Sequence, residues 1–427
     1  MQGMKHVPAQ QFMDLEHQYG AHNYHPLPVV LTKGQGVYVW DVNGKKYYDF
    51  LSAYSAVNQG HSHPRIIQSL ISQAQTLALT SRAFYNDQLG PYEKYICEYF
   101  GFEKVLPMNT GAEAVETALK ICRKWGVEKK GIQDNESIII VCKQNFHGRT
   151  TTIVSFSSDA ESKDAFGAYT PGFLSIPYND IKALAKALEN PKVVGFLVEP
   201  IQGEAGIIVP EENYLKSVKA LCQKHNVLFM ADEIQTGMGR TGSVLAVCGN
   251  CSCSKKCERQ ATYTRPDVLI LGKALSGGVY PVSAVLCDNA IMEVIQPGQH
   301  GSTYGGNPIA AAVAVTAMTV LQDEGMVQNA RRLGKIFRTY MENLLPKTKL
   351  LKSVRGKGLL NAIVINDTPE SSTAWDICVQ LAENGLLAKP THGNIIRLAP
   401  PLVITEKELL ECCQIIEKVL LNFKNKA

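Results

Sequence analysis

Short apolar runs alternate with amphipathic stretches through the middle of the chain. Residues 137–142 (SIIIVC), 193–198 (VVGFLV), 227–231 (VLFMA) and 268–271 (VLIL) are continuous apolar runs of strand length, the pattern of strands buried on both faces. Between them, residues 180–188 and 214–225 follow a helical pattern, and the alternation predicts an α/β fold with a mostly parallel sheet covered by helices. Ligands of such sheets bind beyond the carboxyl ends of the strands, so polar residues placed there carry the functional information.

The two ends of the chain read differently. Residues 37–50 alternate around Asn43-Gly44, a strong hairpin signal. From Gly306-Asn307-Pro308 onward come a long Ala/Val-rich helix, a strand over 359–365 and a final helix from Glu406. This predicts a large central α/β domain over 55–308 and a smaller α/β domain over 309–427, with residues 1–54 contributing to the smaller one. No repeat or low-complexity linker interrupts the 427 residues.

Composition narrows the class. Hydrophobic residues at 45% and charged residues at 19% describe an ordinary globular chain. The net charge of +4 comes without a dense Lys/Arg run, so neither nucleic acid nor an anionic membrane is implied as a partner. No apolar run approaches the roughly 18 residues of a spanning helix. The first twenty residues show neither a secretory apolar core nor an Arg-rich, acid-poor transit pattern, which points to the cytoplasm, or to the mitochondrial matrix if a presequence was removed. Eight of the twelve cysteines are dispersed in apolar or amphipathic runs, as buried thiols are.

The candidate chemistry sits after the strands. ADEIQTGMGRTG (231–242) and LILGKALSGG (269–278) are apolar runs ending in polar residues, Asp232 and Lys273. An acid and a lysine at the carboxyl ends of two buried strands match what pyridoxal 5′-phosphate needs: a Schiff-base lysine, and an acid that keeps the pyridine nitrogen protonated. Thr110 suits an N-cap, and Gly111 and Ala112 then offer free N–H groups to a phosphate at the positive end of a helix. QNFHGR (144–149) supplies an aromatic able to stack on a planar ring, and Arg149, able to hold a carboxylate. Glu199 and Glu204 follow another strand, and Ser302 and Thr303 offer hydroxyls in a Gly-rich loop. Each segment alone also has a purely structural reading: a capped helix, a core aromatic, solvated carboxylates, a turn.

Taken in order along the chain, helix N-terminus, aromatic, carboxylate pair, acid and lysine resemble the fold-type I, class III (ω) aminotransferases. The resemblance runs from YGAHNYHPLP (19–28) to IRLAPP (396–401), with YGAHNYHPLPVVL and EPIQGEAGIIVP its most specific segments. It is closest to the branch whose amine donor is ornithine. It implies Lys273 as the Schiff-base lysine, Asp232 on the pyridine nitrogen, Gln235 on the ring hydroxyl and Phe146 as the stacking aromatic with His147 beside it. Gly111, Ala112 and Ser302 would meet the phosphate, joined by Thr303 from the other subunit, with Glu199 also at the cofactor. Tyr24 and Arg149 would grip the α-carboxylate of ornithine, Tyr54 would line the pocket, and Arg397 and Glu204 would alternate between mutual pairing and substrate binding. The implied reaction carries the δ-amino group of L-ornithine to 2-oxoglutarate, giving glutamate, in a homodimer with shared active sites.

One stretch departs from the family. CGNCSCSKKCERQATYTRPD (248–267) is expanded and holds Cys248, Cys251, Cys253 and Cys257 as C-x2-C-x-C-x3-C. A thiolate zinc site, disulfides, a redox-responsive pair activated by Lys255 and Lys256 with a redox partner, and unpaired surface thiols all fit this spacing. Two rivals therefore stand beside the main reading. One is a class III aminotransferase acting on acetylornithine or 4-aminobutyrate. The other is a non-catalytic redox or metal-binding protein using the cysteine loop.

Overall fold

The computed structural model describes residues 8–248 and 264–423. Its centre is a seven-stranded sheet in the order Lys104–Met108, Ser283–Cys287, Val268–Leu271, Leu228–Asp232, Val193–Val198, Ile138–Cys142, Phe173–Ile176. The four predicted strands lie side by side in it, all parallel. Ser283–Cys287 runs against both neighbours, so the sheet is mostly rather than wholly parallel.

Local chemistry explains the element ends. Thr110 Oγ1 accepts from Glu113 N while Glu113 accepts from Thr110 N, a capping box that starts helix Gly111–Glu128. Asp180 caps Ile181–Ala187 through the N–H of Ala183 at 2.9 Å. Thr405 and Glu408 form a second capping box at the head of Glu406–Asn422. Gly195 lets Gly111–Glu128 lie close on the sheet, since a Cβ there would collide with Cys122 Sγ. Helix Pro308–Asp323 is buried on nearly all sides, which its Ala/Val composition allows, and it packs on Pro64–Thr76 and Leu89–Phe100.

The predicted hairpin forms from Tyr38–Asp41 and Lys46–Asp49, its turn held by Asp41 Oδ1, which accepts from the N–H groups of Asn43 and Lys45. These strands share a four-stranded sheet with Leu31–Gln35 and with Leu386–Leu387 from the far end of the chain. A third sheet, antiparallel, contains Leu351–Lys357, Leu360–Ile365, Ile395–Leu398 and Lys389–Thr391. The thiols of Cys122, Cys142, Cys222, Cys287, Cys378, Cys412 and Cys413 are buried and unbonded to one another, and Cys97 is half-buried. Cys248 ends a short 3-10 turn, Ala246–Cys248; Cys251, Cys253 and Cys257 lie outside the described residues. Among the described residues no cluster of three or more metal-ligating side chains occurs, and no helix is long and apolar enough to cross a membrane.

Candidate active site

Five strands of the large sheet deliver residues to one cavity at their carboxyl ends. Asp232 closes Leu228–Asp232, Lys273 follows Val268–Leu271 after Gly272, and Glu199 follows Val193–Val198. Phe146 and His147 lie in the loop after Ile138–Cys142, and Gly111 and Ala112 open the helix after Lys104–Met108. All of these, with Gln235, line a cavity of about 200 Å³. Gly148, Ile234 and Thr236 line it too and were missed in the sequence. Ile234 carries a signal in retrospect: it stands two residues after Asp232, whose Oδ1 accepts its N–H at 3.1 Å. A Cβ on Gly111 would come within 3.1 Å of the Ile234 side chain, so glycine is what lets the helix mouth and this wall approach.

The charges in the cavity are set by burial and by one another. Asp232 Oδ2 lies 2.7 Å from His147 Nδ1, and both side chains are shielded from solvent. Desolvation opposes charge on His147, but the hydrogen bond and charge of Asp232, with Glu199 behind it, outweigh that and raise its pKa. Glu199 accepts from Phe146 N at 2.9 Å and from Gly203 N at 3.3 Å. Burial still pushes its carboxyl up to about 7. Lys273 has φ +44°, the left-handed region, at the start of the 3-10 turn Lys273–Ser276. Desolvation lowers its pKa against the pull of Glu204, Asp232 and Glu199, which favours a neutral amine.

A second group adjoins the cavity. Arg397, on Ile395–Leu398 and 5% exposed, donates from Nη1 to Glu204 Oε1 at 2.5 Å, and Gln235 Nε2 donates to the same oxygen at 3.1 Å. Burial works against the ionised Glu204, yet Arg397 and Lys273 hold its pKa below the usual carboxylate value. The Arg397 guanidinium lies 4.9 Å from the centre of the Tyr54 ring. Burial raises the Tyr54 phenol, whose surroundings include the charges of Arg397, Glu204, Tyr24 and Arg149. Tyr24 itself is 64% exposed, with Lys389 Nζ 5.9 Å from its ring. Lys389, also missed in the sequence, has its pKa lowered by burial and by Arg397. Arg149 is exposed, 5.9 Å from the Phe146 ring.

Ser302 and Thr303 stand apart from this cavity. Ser302 Oγ accepts from Asn109 Nδ2 at 2.8 Å and Gly305 N at 3.0 Å, and Thr303 is exposed.

Glu233, next to Asp232 but turned away from the cavity, is a buried carboxylate that accepts from Thr236 Oγ1 at 2.5 Å and Val247 N at 2.8 Å. Burial outweighs these bonds and pushes its pKa up from 4.5 to about 7. A carboxyl raised on folding is equally protonated in both states below pH 4.5 and costs stability as it ionises towards pH 7. Unfolding free energy is therefore expected to fall by roughly 3 kcal/mol over that window on account of this group. Glu233→Gln should flatten the corresponding part of the profile in urea titrations of the apoprotein at pH 5, 6, 7 and 8. An unchanged slope would show that Glu233 is not the group responsible.

The donor set fits pyridoxal phosphate. The capping box uses the N–H groups of Thr110 and Glu113 and leaves those of Gly111 and Ala112 to point at an anion. Asp232 faces the same space as a Lys273 amine that burial makes easier to deprotonate, and the buried Nε2 of His147 has no partner among the described residues.

Residues 19–420 match the model of the family described as Aminotransferase class-III. The chain belongs to that family, whose cofactor is pyridoxal 5′-phosphate. It is 56% identical to "Ornithine aminotransferase, mitochondrial" of Drosophila melanogaster, over 95% of this chain and 90% of the fly protein. Among solved structures, the Toxoplasma gondii ornithine aminotransferase crystallised with oxidised glutathione, with partial occupancy of PLP, superposes with a TM-score of 0.93 at 47% identity over 98% of this chain and 95% of that one. An acetylornithine aminotransferase from Elizabethkingia anophelis superposes with a TM-score of 0.87 at 59% identity, covering 97% of this chain and 99% of that one.

Proposed function

We propose that the chain transfers the δ-amino group of L-ornithine to 2-oxoglutarate. The products are glutamate and glutamate-5-semialdehyde, which cyclises to pyrroline-5-carboxylate, linking arginine-derived ornithine to proline. The observation that carries this reading is the Arg397–Glu204 pair beside Lys273, tied to the cofactor cavity through Gln235. Ornithine must present its terminal amine, whereas glutamate must present an amine beside a carboxylate. A site serving both needs a cation that can be masked for one substrate and exposed for the other.

Pyridoxal phosphate, when bound, supplies an electrophilic carbon for the incoming amine and a ring that accepts the electron pair released at the substrate carbon. The N–H groups of Gly111 and Ala112 would hold its phosphate, and Ser302, which stands apart from this cavity, would reach the phosphate only together with Thr303 at the site of a second copy. Phe146 would stack on the ring, with His147 beside it, and Gln235 would meet the ring hydroxyl and Asp232 the ring nitrogen. Glu199 braces the site through Phe146 N and Gly203 N. The Lys273 amine moves the proton at the substrate carbon. Tyr24, Tyr54 and Arg149 form the rim that receives the α-carboxylate of ornithine. Exposed Thr303 completes the phosphate site of a second copy, so the working unit is a homodimer; the division at 54/55 and 308/309 belongs to the same reading. For the compartment, the name of the fly relative favours the mitochondrial alternative over the cytoplasmic one. The non-catalytic reading built on the cysteine loop is set aside, because Lys273, Asp232 and Arg397 are all present and assembled; a metal site, a redox-responsive pair and unpaired thiols all remain open for the cluster itself.

The structural likeness to an acetylornithine enzyme favours a second reading with the same cofactor residues and a different donor. A single-turnover assay separates the two. The cofactor-loaded protein is mixed in turn with L-ornithine, N-acetylornithine and 4-aminobutyrate, and the visible cofactor band is followed. Fastest loss with ornithine, with pyrroline-5-carboxylate as product, is expected. Faster conversion of acetylornithine or 4-aminobutyrate would transfer the chain to the rival specificity and remove the role given to Tyr24.

A further inference from the structure

Tyr54 owes its position to an unusual piece of backbone. Ser52, Ala53, Tyr54 and Ser55 have φ of +50°, +45°, +57° and +72°, four consecutive non-glycine residues in the left-handed region. L-residues visit that region singly, because Cβ crowds the following carbonyl, so a full left-handed turn must be held by its surroundings. The buried hydroxyls of Ser52 and Ser55 make no hydrogen bond among the described residues. Backbone bonds from Ala56 N and Val57 N to Ser52 O close the turn at its end.

Its start is held by a backbone bond from Tyr54 N to Leu51 O at 3.0 Å and by one side chain. Asp49 Oδ1 accepts from Leu51 N at 2.8 Å and Ser52 N at 2.9 Å, and Oδ2 pairs with His61 Nε2 at 2.7 Å. His61 is fixed in turn by a two-way backbone bridge to Gly36, and a Cβ on Gly34 would come within 2.9 Å of its ring. Phe50, between Asp49 and the turn, donates to Leu387 O at 2.9 Å and accepts from Ala399 N at 2.7 Å. Ala399 is two residues beyond Arg397. The far end of the turn rests on the lysine-bearing element: Gln59 Nε2 donates to Ala274 O at 3.0 Å, and a Cβ on Gly278 would collide with Val57. The turn is thus clamped between the elements that carry Arg397 and Lys273, and its side chain at the site is the ring over the Arg397 guanidinium.

We infer that Asp49, backed by His61, is a positioning residue for substrate recognition: its carboxylate fixes the left-handed turn that aims Tyr54 at Arg397. This rests on the assignment of Tyr54 to the ornithine pocket. Without the two acceptor bonds, the turn relaxes to ordinary φ values and the ring leaves the guanidinium.

The test is a double-mutant cycle on the loaded enzyme, with the ornithine half-reaction as readout, together with a crystal structure of Asp49→Ala. Asp49→Ala should lower the rate of cofactor-band loss at limiting L-ornithine by roughly ten- to hundredfold, while the band itself stays that of the parent. In a Tyr54→Ala background the same change should have little further effect, because Asp49 acts through that ring. Ala53→Gly, which removes one strained Cβ, should recover part of the loss. The crystal structure should show residues 52–55 out of the left-handed region. An undiminished effect in the Tyr54→Ala background, or retention of all four positive φ values in Asp49→Ala, would overturn the inference. Should Asp49→Ala not fold, His61→Ala loses only the outer bond and is read by the same cycle, with additivity again the overturning result. If the parent protein itself ignores ornithine, the substrate assignment fails, and the crystallographic arm still decides whether Asp49 holds the turn.

Discussion

Replacing Lys273 with alanine should abolish the visible cofactor band and reduce amine transfer by at least the roughly 10²- to 10⁴-fold that a positioned acid–base group supplies. Three features make this side chain the one to remove. It sits just beyond the carboxyl end of a central strand, in a cavity that Asp232 also lines. Desolvation lowers its pKa even though three carboxylates nearby favour the ammonium form, so the amine gives up its proton more readily than an exposed lysine. Its φ of +44° shows a backbone held in an unfavourable region to place one side chain. Alanine at this position removes a partly buried amine and leaves no carboxylate without a partner, since Glu204 keeps Arg397 and Asp232 keeps His147. The variant should therefore fold with a Tm close to that of the parent. Persistence of the band in a folded Lys273→Ala protein would remove Lys273 from the reaction and reopen the non-catalytic reading.

Much of this site could be read before any coordinates because the residues that carry it follow signals of local physics. The apolar runs at 193–198 and 268–271 mark buried strands, and polar residues at their ends mark the ligand-binding edge. Thr110 as a cap implied the free N–H groups behind it. The unread part depends on contacts between distant segments. The direction of Ser283–Cys287 escaped because burial is the same for a parallel and an antiparallel strand. Lys389 reads as a surface lysine until the chain brings it to within the field of Arg397 and Glu204. The left-handed turn at 52–55 contains no glycine or asparagine, the residues that announce such a conformation. Only the Asp49 carboxylate and the neighbouring sheet make it legible.

Glu204→Ala should separate the two half-reactions. Arg397 is buried, and Glu204 is the carboxylate bonded to it. Removing one partner of a buried pair typically costs about 3–5 kcal/mol because the remaining charge has no counterion, equivalent to roughly 10²- to 10⁴-fold in rate or binding. With Glu204 absent, Arg397 attracts any carboxylate, so ornithine is drawn in with its α-carboxylate at the wrong end and its δ-amine away from Lys273. For 2-oxoglutarate an exposed Arg397 is the binding group itself, and its half-reaction should be preserved or improved. Protonation cannot replace this switch in the parent enzyme. Arg397 and Lys273 hold the Glu204 pKa below 4.5, so the pair stays ionised throughout the neutral range. The event that frees Arg397 must then be competition from a substrate carboxylate, which accounts for a pair linked by a single hydrogen-bonded oxygen shared with Gln235. Rapid-mixing rates for each half-reaction in Glu204→Ala decide the matter. A selective loss with ornithine supports the masking role, whereas equal losses in both directions would mean that Glu204 serves only to hold Arg397 and Gln235 in place.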